Sequence, residues 1–148
     1  MDNINDALVE IKKLNKIFIS LLLNEVKKVF DECPNIAKIS WNQYIPTFND
    51  GEPCLFTTSE IYYLPFNKDN EVENKDYEDE DDEEVSNLES LSYNLLTENK
   101  DYQNKVQPLE RLFNKIPDYV LMGEFDIYVS VYIDRDLTVT TTEYYYDY

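Results

Sequence analysis

At 148 residues the chain has room for one domain with a sizeable core. Its 13 lysines and arginines against 31 aspartates and glutamates leave a formal charge of −18, which repels nucleic acid and anionic membranes and favours basic partners. The absence of histidine removes the commonest general base and zinc ligand, and two cysteines, Cys33 and Cys54, are too few for a disulfide framework and read as buried thiols of a reducing compartment.

Met1-Asp2 opens without a basic run or a cleavage site, and the longest apolar run, residues 17–23, contains Ser20 and is far short of the roughly 20 residues of a membrane span. A cytoplasmic protein is expected. Residues 5–31 place Leu8, Ile11, Leu14, Phe18, Leu21, Leu22, Val26, Val29 and Phe30 at three-and-four spacing, which predicts one long helix. Asn3 or Asn5 can cap it, Asp6 and Glu10 suit its positive end, and Pro34 closes it. Its lysines, Lys12, Lys13, Lys16, Lys27 and Lys28, read as a solvated outer face rather than a nucleic-acid site.

Two strands follow, with Ile39 and Trp41 on one face and Cys54 and Phe56 opposite them, joined by a turn at Asn49-Asp50-Gly51 and stiffened by Pro53. The second strand is expected to continue through residues 61–64 to Pro65. Residues 69–84 then hold eleven acids and the single Lys75, a net of −10. Like charges at this density cannot pack on themselves, so residues 67–85 are expected to form a disordered acidic loop. Ser86-Asn87-Leu88-Glu89 is a capping box ahead of Leu88, Leu91, Leu95 and Leu96 and predicts a short helix. A second short helix is predicted from Pro108 through Leu109, Leu112 and Phe113 to Ile116, where Pro117 stops it.

The strongest strand signal is the alternation of Phe125, Ile127, Val129, Val131 and Ile133 against Asp126, Tyr128, Ser130, Tyr132 and Asp134. A turn at Asp134-Arg135-Asp136 sends Leu137, Val139 and Thr141 back along the inner face, with Thr138, Thr140, Thr142, Tyr144 and Tyr146 outside. The expected fold is α+β: a single domain, residues 1–148, in which a mostly antiparallel sheet of two β-hairpins packs against the long N-terminal helix and two short helices.

No catalytic set can be assembled from these residues. Asp69-x-Glu71-x-Glu73 has alternating oxygens but lacks the central glycine of a calcium loop. Asp118 with Glu124 and Asp126 resembles the carboxylate pair of metal-dependent nucleases, yet Asp126 stands where their lysine is needed; a helix end followed by a solvent-facing strand is the plainer reading. Neither cysteine has a histidine to activate it. Asn49, Asp50 and Glu52 are what a tight turn requires whatever its function. No catalytic residue, cofactor or metal ligand is therefore assigned. The outer face of the C-terminal hairpin is the better candidate, because Asp126, Tyr128, Tyr132, Asp134, Glu143, Tyr144 and Tyr146 interleave carboxylates with tyrosines, which supply contact area at low entropic cost. An ordinary half-exposed sheet face, where tyrosine and threonine are favoured anyway, is the competing reading.

The motif Trp41-x-Gln43-Tyr44-x-Pro46-x-Phe48-Asn49-Asp50-Gly51-Glu52-Pro53-Cys54-x-Phe56, together with a late hairpin over residues 125–147, resembles a family of small uncharacterised proteins of bacteriophages and bacteria. The likeness covers most of the chain outside the acidic loop and departs from the family at Gly123-Glu124-Phe125-Asp126, where Phe-Gly-Asp is expected. It implies a phage-type origin, hence the host cytoplasm, and brings no catalytic residue. The functional expectation is a non-enzymatic, anti-defence inhibitor of the anti-CRISPR kind. It would bind a basic, nucleic-acid-binding host protein such as a defence nuclease by presenting carboxylates where phosphates lie, without binding nucleic acid or membrane itself. The alternative is an adaptor or structural interaction module without mimicry.

Overall fold

The computed structural model describes residues 4–46, 51, 54–66 and 81–144, giving for 81–87 the course of the helix alone. In chain order the elements are α1 (Ile4–Glu32), β1 (Ile36–Tyr44), β2 (Thr57–Thr58), β3 (Tyr62–Pro65), α2 (Asp81–Glu98), α3 (Tyr102–Lys105), α4 (Gln107–Lys115), α5 (Asp118–Phe125), β4 (Val129–Asp134) and β5 (Val139–Glu143). The fold is α+β, with a long N-terminal helix, a five-stranded antiparallel sheet and several short helices.

β1 is the centre of the sheet. Its start pairs with β3 and its end with β2 along one side, β4 lies along the other, and β5 adds beyond β4. Residues directly opposite each other in an antiparallel pair share a face. Ile39 is set between Tyr63 and Ile133, and Trp41 is opposite Val131, so these define the inner face. Onto it pack Leu22, Val26, Val29 and Phe30 of α1, Leu109 and Phe113 of α4, and Val120, Leu121 and Phe125 at α5. Trp41 is fully buried there, edge-on to Phe113 at 4.8 Å and to Phe125 at 5.7 Å between ring centroids.

Several expectations are corrected. Cys54 is exposed and lies outside any strand, while the strands after the turn begin only at Thr57 and Tyr62, so Cys54 and Phe56 do not oppose Ile39 and Trp41. Cys33 is buried as expected. α2 starts at Asp81, inside the stretch expected to be disordered, so the Ser86 capping box lies within the helix; four successive acids, residues 81–84, are the residue type that a helix's positive end favours. The rest of that acidic stretch, 67–80, lies outside the described residues. Phe125 ends a helix rather than starting a strand, because Pro117 in extended conformation opens α5 and the buried Gln43 amide holds its end at Leu121 O and Asp126 O. On α1 the core takes only residues from Phe18 onward: Leu8, Ile11 and Leu14 are exposed, since a helix of 29 residues, about 43 Å long, outruns the core beneath it, and Leu21 of the expected apolar face is exposed as well.

Candidate functional site

The alternation that turns Ile39 and Trp41 inward sends Lys38, Ser40, Asn42 and Tyr44 of β1 to the second face of the sheet. Register builds rows there. Tyr62, Ser40, Tyr132 and Thr140 form one row across four strands; Leu64, Lys38 and Asp134 form the next; Asn42, Ser130 and Thr142 a third. Tyr128, two residues before Ser130, and Tyr144, two after Thr142, close the far end, where Tyr44 and Tyr144 meet at 5.6 Å between ring centroids and Tyr128 donates to Ile45 O at 3.4 Å.

The floor of this face is polar and closed. Ser130 Oγ donates to Asn42 Oδ1 at 2.6 Å, and Ser40, fully buried between Tyr62 and Tyr132, leaves its hydroxyl without a hydrogen-bond partner. Burial, with Glu89 and Glu60 nearby, pushes the Tyr62 phenol up to about 12, so it stays neutral. The rim is open, with Tyr128 45 % exposed and Thr140 and Thr142 exposed. Lys38 sits 3.8 Å from Asp134 and 5.8 Å from the centre of the Tyr132 ring.

Of the residues predicted to bind a partner, Tyr128, Tyr132, Asp134 and Tyr144 come together on this face. Asp126 and Glu143 do not. Asp126 follows α5 with φ +94°, its carbonyl accepting from Gln43 Nε2 at 2.6 Å and its own Oδ1 accepting from Ile127 N at 2.8 Å, which is a structural post. Glu143 is opposite Val129 and therefore on the helix side of the sheet. Tyr146 lies outside the described residues, as do Asn49, Asp50 and Glu52. Tyr44, Tyr62 and Lys38 were missed, although the parity of β1 around Trp41 already assigned Tyr44 and Lys38 to this side.

Other chemistry finds little support in the geometry. Among the described residues no three or more aspartates, glutamates or cysteines gather as metal ligands would. Asp118 opens α5 and Glu124 lies six residues further along the same helix, about 9 Å along the axis, while Asp126, where the lysine would be needed, follows the helix end. Burial pushes the Cys33 thiol up to about 11 against the pull of Lys105, which leaves almost no thiolate near neutrality. A groove of about 420 Å³ beside α1 is lined by Leu21, Leu112 and Asn24 and by charges already paired with each other, Lys27 with Asp31 at 3.2 Å and Lys28 with Glu25 at 3.4 Å. No described helix is long and apolar enough to cross a membrane. Comparison with known proteins returned no matching family model, no matching curated protein and no matching solved structure, so the functional reading rests on these residues and their geometry.

Proposed function

We propose that this chain is an acidic, non-enzymatic, phage-type protein that docks on a basic, nucleic-acid-binding host protein in the host cytoplasm. By occupying the surface that nucleic acid would use, it inhibits that protein, with a defence nuclease as the expected target. The observation that carries the reading is an open face of Tyr128, Tyr132 and Tyr144 beside Asp134 on a molecule of charge −18. Because Asp126 and Glu143 stand off that face, the charge works as a whole-molecule field that speeds encounter, while the tyrosines hold the complex once formed.

The reading separates into rates. Attraction is screened over about 8 Å at physiological salt, so association should slow steeply as salt rises. Neutralising Asp126, Asp134 and Glu143 to Asn or Gln should slow association, whereas Tyr128→Ala or Tyr132→Ala should speed dissociation. Nucleic acid should compete for the partner. Surface-plasmon kinetics on a partner captured from host lysate give all four answers. A partner whose affinity ignores salt, the neutralisations and added nucleic acid would instead make the chain an adaptor that uses the tyrosine face for contact alone.

A further inference from the structure

The two long edges of the sheet are treated differently. Along β3 the edge is closed by α2, where Ser92 Oγ accepts the Tyr63 N–H at 2.9 Å. The opposite edge, β5, is exposed at every residue from Val139 to Glu143, and no described strand pairs with the side of it turned away from β4. Proteins commonly blunt such an edge with lysine, proline, a bulge or a covering element. Within β5 there is neither lysine nor proline.

Two hydrogen bonds establish which groups the edge offers. Asp134 N donates to Thr138 O at 3.0 Å, and Tyr144 N donates to Tyr128 O at 3.0 Å. In an antiparallel ladder, bonded positions alternate. Thr140 and Thr142 therefore bond to β4, and Val139 and Thr141 direct their N–H and C=O groups away from it, toward the open edge. These groups suit an extended chain in β conformation.

The charge around the edge selects the occupant. Asp136 stands at the tip before β5 and Glu143 at its end, with Asp134, which also faces Lys38 at 3.8 Å, on the neighbouring strand. The cation of the tip, Arg135, is turned inward onto Ile36 O and Phe30 O at 2.6 and 2.7 Å. A second copy of this chain would bring another −18 to the same place. We infer that β5 takes an extended, lysine- or arginine-rich segment of the partner as an added antiparallel or parallel strand, with the tyrosine face flanking it. This rests on the reading that the partner is basic, and adds how it is gripped.

The test uses the full chain and a short synthetic peptide of alternating lysine and valine, with amide exchange followed residue by residue by NMR. The peptide should slow exchange at Val139 and Thr141 and leave Thr140 and Thr142, already bonded to β4, unchanged. Thr141→Pro removes an outward N–H and takes no bond from β4, so it should keep the fold and weaken peptide binding about tenfold or more, the worth of one or two backbone hydrogen bonds. The same peptide with alternate amides N-methylated, added to the wild-type chain, carries the same charge and should bind comparably weakly, which keeps the test valid if the proline variant is unstable. Equal binding of the methylated and plain peptides, or binding without protection of Val139 and Thr141, overturns strand addition and leaves a charge-led basic partner standing. Failure of both peptides to bind at low salt counts against the basic partner itself. Protection of the two amides by raising protein concentration alone overturns the proposal in favour of a second copy at the edge.

Discussion

Gln43 shows how much structural work one buried polar side chain does. Its Oε1 accepts the Trp41 indole N–H at 2.8 Å, and its Nε2 donates to Asp126 O at 2.6 Å and Leu121 O at 3.3 Å, so a Trp-x-Gln spacing on one strand face both satisfies the tryptophan and anchors the end of α5. Asp126 adopts φ +94° and ψ 173°, a region nearly reserved for glycine and costing about 1–3 kcal/mol; the Gln43 bond offsets that strain. Trp41→Ala should cost about 3–5 kcal/mol, from the lost packing against Phe113 and Phe125. Gln43→Leu should cost roughly 3 kcal/mol, because it orphans the buried Trp41 indole N–H and takes the side-chain donor from Asp126 O, Leu121 O keeping its helical partner. The double variant Trp41→Phe, Gln43→Leu should be less destabilised than the sum of its single changes, since no indole N–H remains to be orphaned. Urea unfolding of the four proteins checks this, and strict additivity would mean that the indole bond contributes nothing.

At the scale of elements, the C-terminal hairpin completes the N-terminal helix. α1 has no basic residue in its last turn and leaves carbonyls unsatisfied there. The hairpin tip supplies part of what is missing: Arg135 donates to Phe30 O of α1 and to Ile36 O at the start of β1 and lies 5.1 Å from the centre of the Phe30 ring, while Lys105 Nζ donates to Glu32 O at 3.5 Å. The tip is shaped for this by a turn in which Leu137 N donates to Asp134 O at 2.7 Å and Leu137 takes φ +68°. Arg135→Ala should lower stability by about 1–2 kcal/mol, from charged hydrogen bonds and the helix dipole together. Arg135→Lys should recover only part of it, because one ammonium cannot span two carbonyls as a planar fork does. Thermal melts of the three proteins read the difference, and a full rescue by lysine would show that charge alone matters.

For the molecule as a whole, the buried thiol and phenols make stability sensitive to alkali. Burial raises Cys33 from 9.0 to about 11 and Tyr62 from 10.0 to about 12, and raises Tyr63, which donates to Glu110 Oε2 at 2.9 Å, further still. Each folded value lies above its unfolded one, so the native state holds these protons more tightly than the unfolded state does. The contribution of these groups is fully present below pH 9 and is lost as pH rises through 9 to 12. The urea midpoint measured by circular dichroism should be level up to about pH 9, as far as these groups decide it, and fall steeply above. Cys33→Ala should remove the earliest part of that fall. A midpoint that begins to drop only above pH 12 would contradict the burial of these groups.

Local periodicity was enough to place α1, the start of α4 at Pro108, the inward set of Ile39 and Trp41, the strand from Val129 to Ile133, and the α+β class. These elements obey their own spacing because one face meets the core. Other features answer to contacts distant in the chain. The alternation at Phe125 and Ile127 is strand-like, yet Gln43, about 80 residues earlier, helps hold Phe125 in a helix end. Val139 and Thr141 follow the inward pattern faithfully but are exposed, since a period of two says which way a side chain points and not whether anything lies there to cover it. The same holds for Leu8, Ile11 and Leu14 on α1. For the candidate face, Tyr132 of β4, Tyr128 just before it and Tyr144 just after β5 were readable from one hairpin, whereas Tyr62 joins them only because β3 pairs with β1, and Glu143 leaves them because register sets it opposite Val129. Spacing along a chain carries direction; only pairing between strands and helices decides which directions end in a neighbour and which in solvent.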